Sequence, residues 1–219
     1  CILILNIYKP IGRTSFSVVR SIKNITAEKK VGHGGTLDPF ADGVLIIATG
    51  KDTKSLYNVA NEKKTYIASL KLGTKTDTLD IEGKITENCK IPKINRQKIT
   101  TVFNTFLGWT NQIPPMYSAK RINGQRLYKL ARKNIEIKRN PTKINIEKLS
   151  LIFFDKSIIR FKVSCSKGTY IRVLGSDIAE RLGTIGHLSS LTRTRIGKFC
   201  IGDSLKIEKF HSVWKSSQT

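Results

Sequence analysis

The chain has 219 residues, among which 39 Lys and Arg outnumber 16 Asp and Glu, and its formal net charge at pH 7 is +23. No apolar run reaches the roughly 20 residues that a membrane-spanning helix needs, so the composition does not favour a membrane protein. The cation surplus is spread along the chain without a matching rise in Glu, which favours a folded surface that binds nucleic acid. The four cysteines form no C-x-x-C pair, which argues against a zinc site or a disulfide framework. We therefore predict that the protein is located in the reducing cytoplasm.

The predicted elements begin with a strand at residues 1–7, since this apolar stretch is short and lacks the basic leader of a signal peptide. Residues 14–25 predict a helix capped by Thr14 or Ser15, because their apolar residues recur at helical spacing. The remaining elements follow in chain order: a strand at 44–48, a short helix at 52–64, an alternating strand at 65–73, a helix at 96–108, a basic helix at 125–134, strands at 134–154 and 157–173, and a helix at 174–183. This irregular mixture favours an α+β fold over a doubly wound sheet.

The stretch GHGGTLDPFADGVLIIATGK at residues 32–51 concentrates glycines and aspartates before an apolar run. A phosphate-binding P-loop is excluded because Gly50-Lys51 is followed by Asp52 rather than by Ser or Thr. A calcium loop that starts at Asp38 would lack the acidic residue at its twelfth position. A nucleobase deaminase would need H-x-E and P-C-x-x-C motifs, which the chain lacks. An ordinary hairpin turn remains open, because Gly, Asp and Pro are common turn residues.

Asp38 is the unusual residue of this stretch, because it lies between Leu37 and Pro39. Pro39 biases the backbone of Asp38 toward an extended conformation. A carboxylate in a partly apolar loop is unfavourable unless it is paired, and such positions are enriched in functional sites. The sequence therefore offers a functional carboxylate as the alternative to a plain turn.

Several motifs together resemble the TruB family of pseudouridine synthases. GHGGTLDPFADGVL is similar to the family signature G-H-x-G-x-L-D-P-x-A-x-G-V-L, and YKPIGRTSFSVV resembles the opening K-P-x-G-x-T-S motif. KTYIASLKLGTKTDTLDIEG, IPPMYSAKRINGQRLYKLAR and CSKGTYIRVLGSDIAERLGTIGHLSSLTRTRIG resemble three later blocks. The blocks occur in family order and extend from residue 6 to about residue 200.

The resemblance implies the pseudouridine synthase fold, an α+β fold with a mixed, mostly antiparallel sheet flanked by helices and loops. It implies an isomerase that converts uridine 55 in the TΨC loop of tRNA to pseudouridine without a cofactor or metal. The uracil is detached from the ribose, turned, and rejoined through a carbon–carbon bond. A secondary role in tRNA folding, a monomeric state and no obligatory protein partner are further expectations.

The resemblance also assigns the catalytic and base-binding residues. Asp38 matches the catalytic aspartate, which acts as a nucleophile or holds the detached sugar or base. Tyr66 matches the active-site tyrosine that stacks on the target base. Arg172 matches an arginine that pairs with the catalytic aspartate, and Tyr170 lines the uracil pocket. The structural alternatives are a turn-capping Asp38, a core Tyr66 and a purely structural ion pair of Arg172.

Other residues are expected to contact the RNA. His33 matches a histidine that inserts into the T loop in place of the flipped bases. Leu191 matches an apolar residue that contacts the target base, although a leucine is most often a core residue. Lys9 and Pro10 are expected to support the pocket. A basic segment is suited to RNA phosphates, and its members are Lys120, Arg121, Arg126, Lys129, Arg132 and Lys133.

Two residues depart from the family pattern. Tyr8 occupies a position that is often Asp in the family, and Asp42 one that is usually a small hydroxyl residue; we expect Asp42 to lie on the surface. We predict a catalytic domain at residues 1–210 and a tail at 211–219, without the C-terminal PUA-type RNA-binding module of many bacterial members. Three rival functions are a non-catalytic tRNA-folding protein, a synthase for another RNA, including the guide-dependent relatives, and a generic basic structural protein.

Overall fold

The computed structural model describes residues 3–122 and 124–216, which fall into two compact units. The first unit contains the chain up to Tyr66 and from Leu191 onward, and the second contains Ile67–Ser190. The helices are α1 Ser15–Thr26, α2 Leu56–Asn61, α3 Arg96–Asn104, α4 Leu127–Ala131, α5 Ile171–Arg181 and α6 Ile207–Ser216. The strands are β1 Ile4–Lys9, β2 Val31–His33, β3 Asp42–Thr49, β4 Lys64–Leu72, β5 Thr74–Thr76, β6 Ile85–Asn88, β7 Gly108–Gln112, β8 Arg121–Ile122, β9 Gln125–Arg126, β10 Thr142–Asp155, β11 Ile158–Cys165, β12 Gly186–Ile196 and β13 Phe199–Cys200.

The first unit is built around β3. Strands β1 and β2 pair with β3 in antiparallel orientation, and the end of β12 pairs with the start of β3 in parallel. Leu45 and Ile47 pack on one face with α1 and α6, whereas Val44 and Ile46 pack on the other face with α2. Because both faces are covered, β3 is apolar at nearly every position instead of alternating.

In the second unit the strand order is β4, β11, β10, β7, and β10 pairs in antiparallel orientation with both β11 and β7. Ile159, Phe161 and Val163 of β11 are fully buried, and the residues between them are exposed, so this strand has one solvated face. The ring of Phe103 in α3 meets that of Phe161 edge to face, with centroids 5.9 Å apart. Within the described residues, no helix is both long and apolar enough to cross a membrane.

Most predicted elements are confirmed, with shifted ends. Helix α1 begins at Ser15, and the Thr14 side chain caps it by accepting a hydrogen bond from the Ser17 amide at 3.0 Å. Strand β1 begins at Ile4, and Cys1 lies outside the described residues.

Several predicted elements are wrong in extent. The strand predicted at 157–173 ends at Cys165, and residues 171–173 belong to α5. The basic helix predicted at 125–134 is limited to α4, because Gln125 and Arg126 pair with β8. Residues 135–141 are not a strand, consistent with Pro141, whose nitrogen cannot donate to a ladder. Residues 211–216 belong to α6, and the division into a catalytic domain at 1–210 and a tail at 211–219 stays a prediction.

Candidate active site

The backbone on both sides of Asp38 is fixed by polar contacts in the first unit. The hydroxyl of Ser15 accepts a hydrogen bond from the Leu37 amide at 2.9 Å and donates one to the Leu37 carbonyl at 3.0 Å. The buried ammonium of Lys9 donates to the Pro39 carbonyl at 3.3 Å, and the Gly12 amide donates to the same carbonyl at 2.8 Å. Asp38 is half-buried, and its own carbonyl accepts from the Ala41 amide. The loop therefore presents Asp38 from a constrained backbone.

His33 ends β2 and precedes this loop by two glycines. Its Nδ1 atom is buried and has no hydrogen-bond partner among the described residues. Burial and the positive charge of Arg193 lower the pKa of His33, and the backbone of Gly35 partly offsets the shift. The imidazole is therefore neutral at pH 7.

Tyr66 and Leu191 are both residues of the first unit. Tyr66 is in β4 and is 8% exposed, and Leu191 is in β12 and is 5% exposed. The hydroxyl of Thr194 donates to the Thr65 carbonyl at 3.2 Å, which joins these two strands near both residues. Neither burial value separates a base-binding role from a core role, so both assignments stay predictions.

Arg172 and Tyr170 belong to the second unit, at the start of α5. The buried Arg172 forms an ion pair with Asp80, with Nε 3.5 Å from Oδ2. Its terminal nitrogens donate to the carbonyls of Thr78 at 2.6 Å and Tyr117 at 2.7 Å. The backbone of Tyr170 exchanges two hydrogen bonds with the amide side chain of Gln112, at 2.8 and 3.1 Å. The pairing of Arg172 with Asp38 joins residues of the two units and stays a prediction.

Asp80, the ion-pair partner of Arg172, is a residue that the sequence reasoning missed. Its Oδ1 atom accepts hydrogen bonds from the Thr78 hydroxyl at 2.6 Å and from the Glu82 amide at 3.0 Å. The turn is tight: Leu79 has a φ of 62°, and a Cβ atom on Gly83 would lie 2.3 Å from the Thr78 hydroxyl. The turn residues in TDTLDIEG indicate a tight turn. They do not indicate that Asp80 pairs with Arg172, because Arg172 is distant in sequence.

The basic segment surrounds a surface cavity of about 330 Å³ in the second unit. Exposed cationic side chains line it, namely Arg121, Arg126, Lys129 and Lys133. The guanidinium of Arg132 lies 5.5 Å from the Tyr128 ring centroid. Lys120 differs from the others, because its ammonium donates to the Thr142 hydroxyl at 2.6 Å. Four of the predicted phosphate-binding residues are thus gathered around one opening.

The two departures from the family pattern contact each other. The phenol of Tyr8 donates a hydrogen bond to Oδ2 of Asp42 at 2.5 Å. Asp42 is half-buried at the start of β3, so it is not the exposed surface residue that we expected. The reason is the antiparallel register of β1 and β3, which brings Tyr8 beside the start of β3.

This fold has a known counterpart among solved structures. A crystal structure of a Cbf5-Nop10-Gar1 complex matches with a TM-score of 0.75 and 27% sequence identity, covering 99% of this chain and 56% of that chain. The architecture is that of the pseudouridine synthases, as the resemblance implied.

The sequence comparison narrows the class to a family. A model of the TruB family pseudouridylate synthase (N terminal domain) matches residues 23–171. A tRNA pseudouridine synthase B of Clostridium tetani is 49% identical over 205 residues, which are 94% of this chain and 71% of that protein. One of Protochlamydia amoebophila is 42% identical over 217 residues, 98% of this chain and 82% of that protein. The chain therefore belongs to the TruB family of pseudouridylate synthases and is an isomerase.

Proposed function

We propose that this chain converts uridine 55 in the TΨC loop of tRNA to pseudouridine, with Asp38 as the catalytic carboxylate. The observation that carries the proposal is the constrained loop, in which Leu37 and Pro39 on either side of Asp38 are fixed by buried Ser15 and Lys9. A carboxylate held on a rigid backbone can act on the sugar without first being ordered. The names of the curated relatives support tRNA as the substrate.

The reaction breaks the bond between N1 of uracil and the ribose, turns the base, and joins its C5 atom to the ribose. Asp38 acts as a nucleophile or stabilises the detached sugar or base. After the new bond forms, the C5 proton is lost to solvent and N1, which no longer bonds the ribose, carries a proton in the product. Arg172 holds the Asp38 carboxylate through a charge-assisted pair. A guanidinium carries five N–H donors, so Arg172 is able to serve Asp80 and a second carboxylate together.

RNA binding is assigned to two groups of residues. His33, neutral at pH 7, enters the T loop as an uncharged ring and takes space left by the flipped bases. Tyr66, Tyr170 and Leu191 receive the uracil. The cationic side chains around the cavity at Arg121 and Arg126 contact phosphates, which makes binding weaker at higher salt concentration.

The test is tritium release from a T-arm hairpin that carries C5-tritiated uridine, without any guide RNA. C5 loses its hydrogen only if it becomes the carbon attached to the ribose. We expect release by the parent protein and none by Asp38→Asn, while both bind the hairpin equally. Binding without release by the parent would overturn the enzymatic proposal and favour a tRNA-folding role, for which Asp38 is dispensable.

A further inference from the structure

One deeply buried cation of the first unit lies outside the residues assigned above. Arg193 in β12 is 1% exposed. Its guanidinium donates to three backbone carbonyls: Nε to Val44 at 2.8 Å, Nη1 to Thr36 at 3.2 Å and Nη2 to Gly35 at 3.1 Å. Within residues 3–122 and 124–216, no Asp or Glu side chain forms an ion pair with it. A buried cation without a counterion is unfavourable for stability, and an apolar residue would fill the same volume at lower cost.

Arg193 contacts both ends of the segment that carries Asp38. Its backbone pairs with Gly43, at the end of the loop, in the parallel contact between β12 and β3. Its side chain reaches Gly35 and Thr36, at the beginning of the loop. Arg193 therefore contacts both ends of the loop from Gly35 to Gly43, and Asp38 belongs to this loop.

The same strand also carries a residue expected to contact the target base. Leu191 precedes Arg193 by two positions, and both side chains are buried, so they lie on the same face of β12. One strand thus links the base-contacting position to the loop of Asp38. This connection is consistent with a long, forked donor at this position, since a guanidinium presents its N–H groups in a fixed planar fork and an ammonium does not.

We propose that Arg193 is a positioning residue for Asp38, which it places by closing the loop from Gly35 to Gly43. The proposal rests on the proposed function of Asp38. Arg193 touches no reacting atom; it acts through the backbone of the loop. A purely structural role would predict loss of stability with no separate effect on the loop or the rate.

The test compares Arg193→Met, Arg193→Lys and the control Arg195→Met, in which an exposed arginine of the same strand is changed. Single-turnover rates are measured at saturating T-arm hairpin, where binding does not limit the rate. For folded Arg193→Met we expect a rate about 100-fold lower, the loss typical of a misplaced reacting group, with hairpin affinity within about threefold of the parent. Arg193→Lys should also be slow, because one ammonium cannot replace the fork, and Arg195→Met should match the parent.

Two readouts do not depend on activity. The amides of Leu37 and Ala41 should exchange with solvent faster in Arg193→Met and at the parental rate in Arg195→Met. The pKa of His33, followed by NMR, should rise in Arg193→Met because a neighbouring positive charge is removed. If Arg193→Met does not fold, Arg193→Lys decides by rate and amide exchange.

The possible results separate the two proposals. A folded Arg193→Met or Arg193→Lys with parental rate and parental amide exchange would overturn the positioning role. A rate that falls only in proportion to the folded fraction would also overturn it. If the parent releases no tritium, the proposed function fails, while amide exchange and the pKa of His33 still test whether Arg193 closes the loop.

Discussion

The phenol of Tyr8 and the carboxylate of Asp42 form a hydrogen bond of 2.5 Å between the end of β1 and the start of β3. The TruB family often has an acidic residue, a hydrogen-bond acceptor, at the position of Tyr8 and a small hydroxyl residue, a donor, at the position of Asp42. In this chain the donor is Tyr8 and the acceptor is Asp42. The two departures are therefore complementary. The hydrogen bond, burial and the charge of Asp42 raise the pKa of Tyr8 to about 12, so the phenol remains a donor at every physiological pH.

The Tyr8–Asp42 hydrogen bond is expected to stabilise the first unit. Tyr8→Phe should lower the free energy of unfolding by about 1–2 kcal/mol at pH 7, because a hydrogen bond to a charged acceptor is lost at a half-buried site. Tyr57→Phe, at an exposed tyrosine, should change it by less than about 0.5 kcal/mol. The double variant Tyr8→Asp with Asp42→Ser restores the family arrangement and should be more stable than Tyr8→Asp alone. Equal urea midpoints for the double variant and for Tyr8→Asp alone would contradict the pairing.

Asp80 is expected to matter for the reaction through Arg172. Asp80→Asn keeps acceptors for the Thr78 hydroxyl and the Glu82 amide but removes the negative charge beside Arg172. The single-turnover rate should fall about 10- to 100-fold, because small displacements of groups near the reacting atoms have effects of that size. Asp203→Asn, at an exposed aspartate, is the control and should keep the parental rate. A folded Asp80→Asn protein within threefold of the parent would show that this ion pair does not orient Arg172 for the reaction.

The glycine of the signature that precedes Val44 has a steric explanation. Gly43 has a φ of 108°, and a Cβ atom there would lie 2.3 Å from the Arg193 carbonyl oxygen and 2.9 Å from its amide nitrogen. Gly43→Ala should therefore destabilise the fold by at least about 3 kcal/mol, since strained backbone and a clash with backbone act together. The matched change Gly202→Ala meets nothing within 4 Å and should be nearly neutral. Urea denaturation of both proteins measures the difference, and similar midpoints would be inconsistent with this geometry.

Asp177 gives a stability prediction that depends on pH. Burial, followed by the negative charge of Glu180, raises the pKa of Asp177 to about 6 from the ordinary value of 3.8. The folded state therefore binds a proton more tightly than the unfolded state, and the destabilisation grows as pH rises from about 4 to 6 and stays constant above. Asp177→Asn should raise the free energy of unfolding by about 1–2 kcal/mol at pH 7, after allowance for solvent screening, and by little at pH 4.

The Asp177 prediction has an internal control. Glu180→Gln removes only the secondary cause and should give a smaller gain than Asp177→Asn at pH 7. Both are read from urea midpoints at pH 4, 5, 6 and 7. An Asp177→Asn effect that is the same at pH 4 and pH 7 would mean that the carboxyl has an ordinary pKa.

The sequence predicted elements whose information is local. The cap at Thr14, the alternation of β4 and the apolar run of β3 follow from residues near one another in the chain, and the structure confirms them. Strand β12 and helix α6 were not predicted. Helix α4 is shorter than predicted because Gln125 and Arg126 form strand β9, which pairs with β8.

The contacts of Arg193 and Asp80 that the sequence did not predict join distant residues. Asp38 stood out because its neighbours Leu37 and Pro39 are adjacent in sequence, whereas Arg193 reaches a carbonyl 149 positions away. Asp80 likewise meets Arg172 only after the second unit folds. A periodic pattern or a short motif carries no information about such pairings.

The measurement that tests the central claim most directly is the position of pseudouridine in a full tRNA transcript treated with this protein. Carbodiimide labelling followed by reverse transcription maps the modified base, and a transcript with cytidine at position 55 is the control. We predict one new stop, at position 55, with the parent protein, and none with Asp38→Asn or with the control transcript. A stop at another uridine, or an undiminished stop with folded Asp38→Asn, would contradict the assignment of this site.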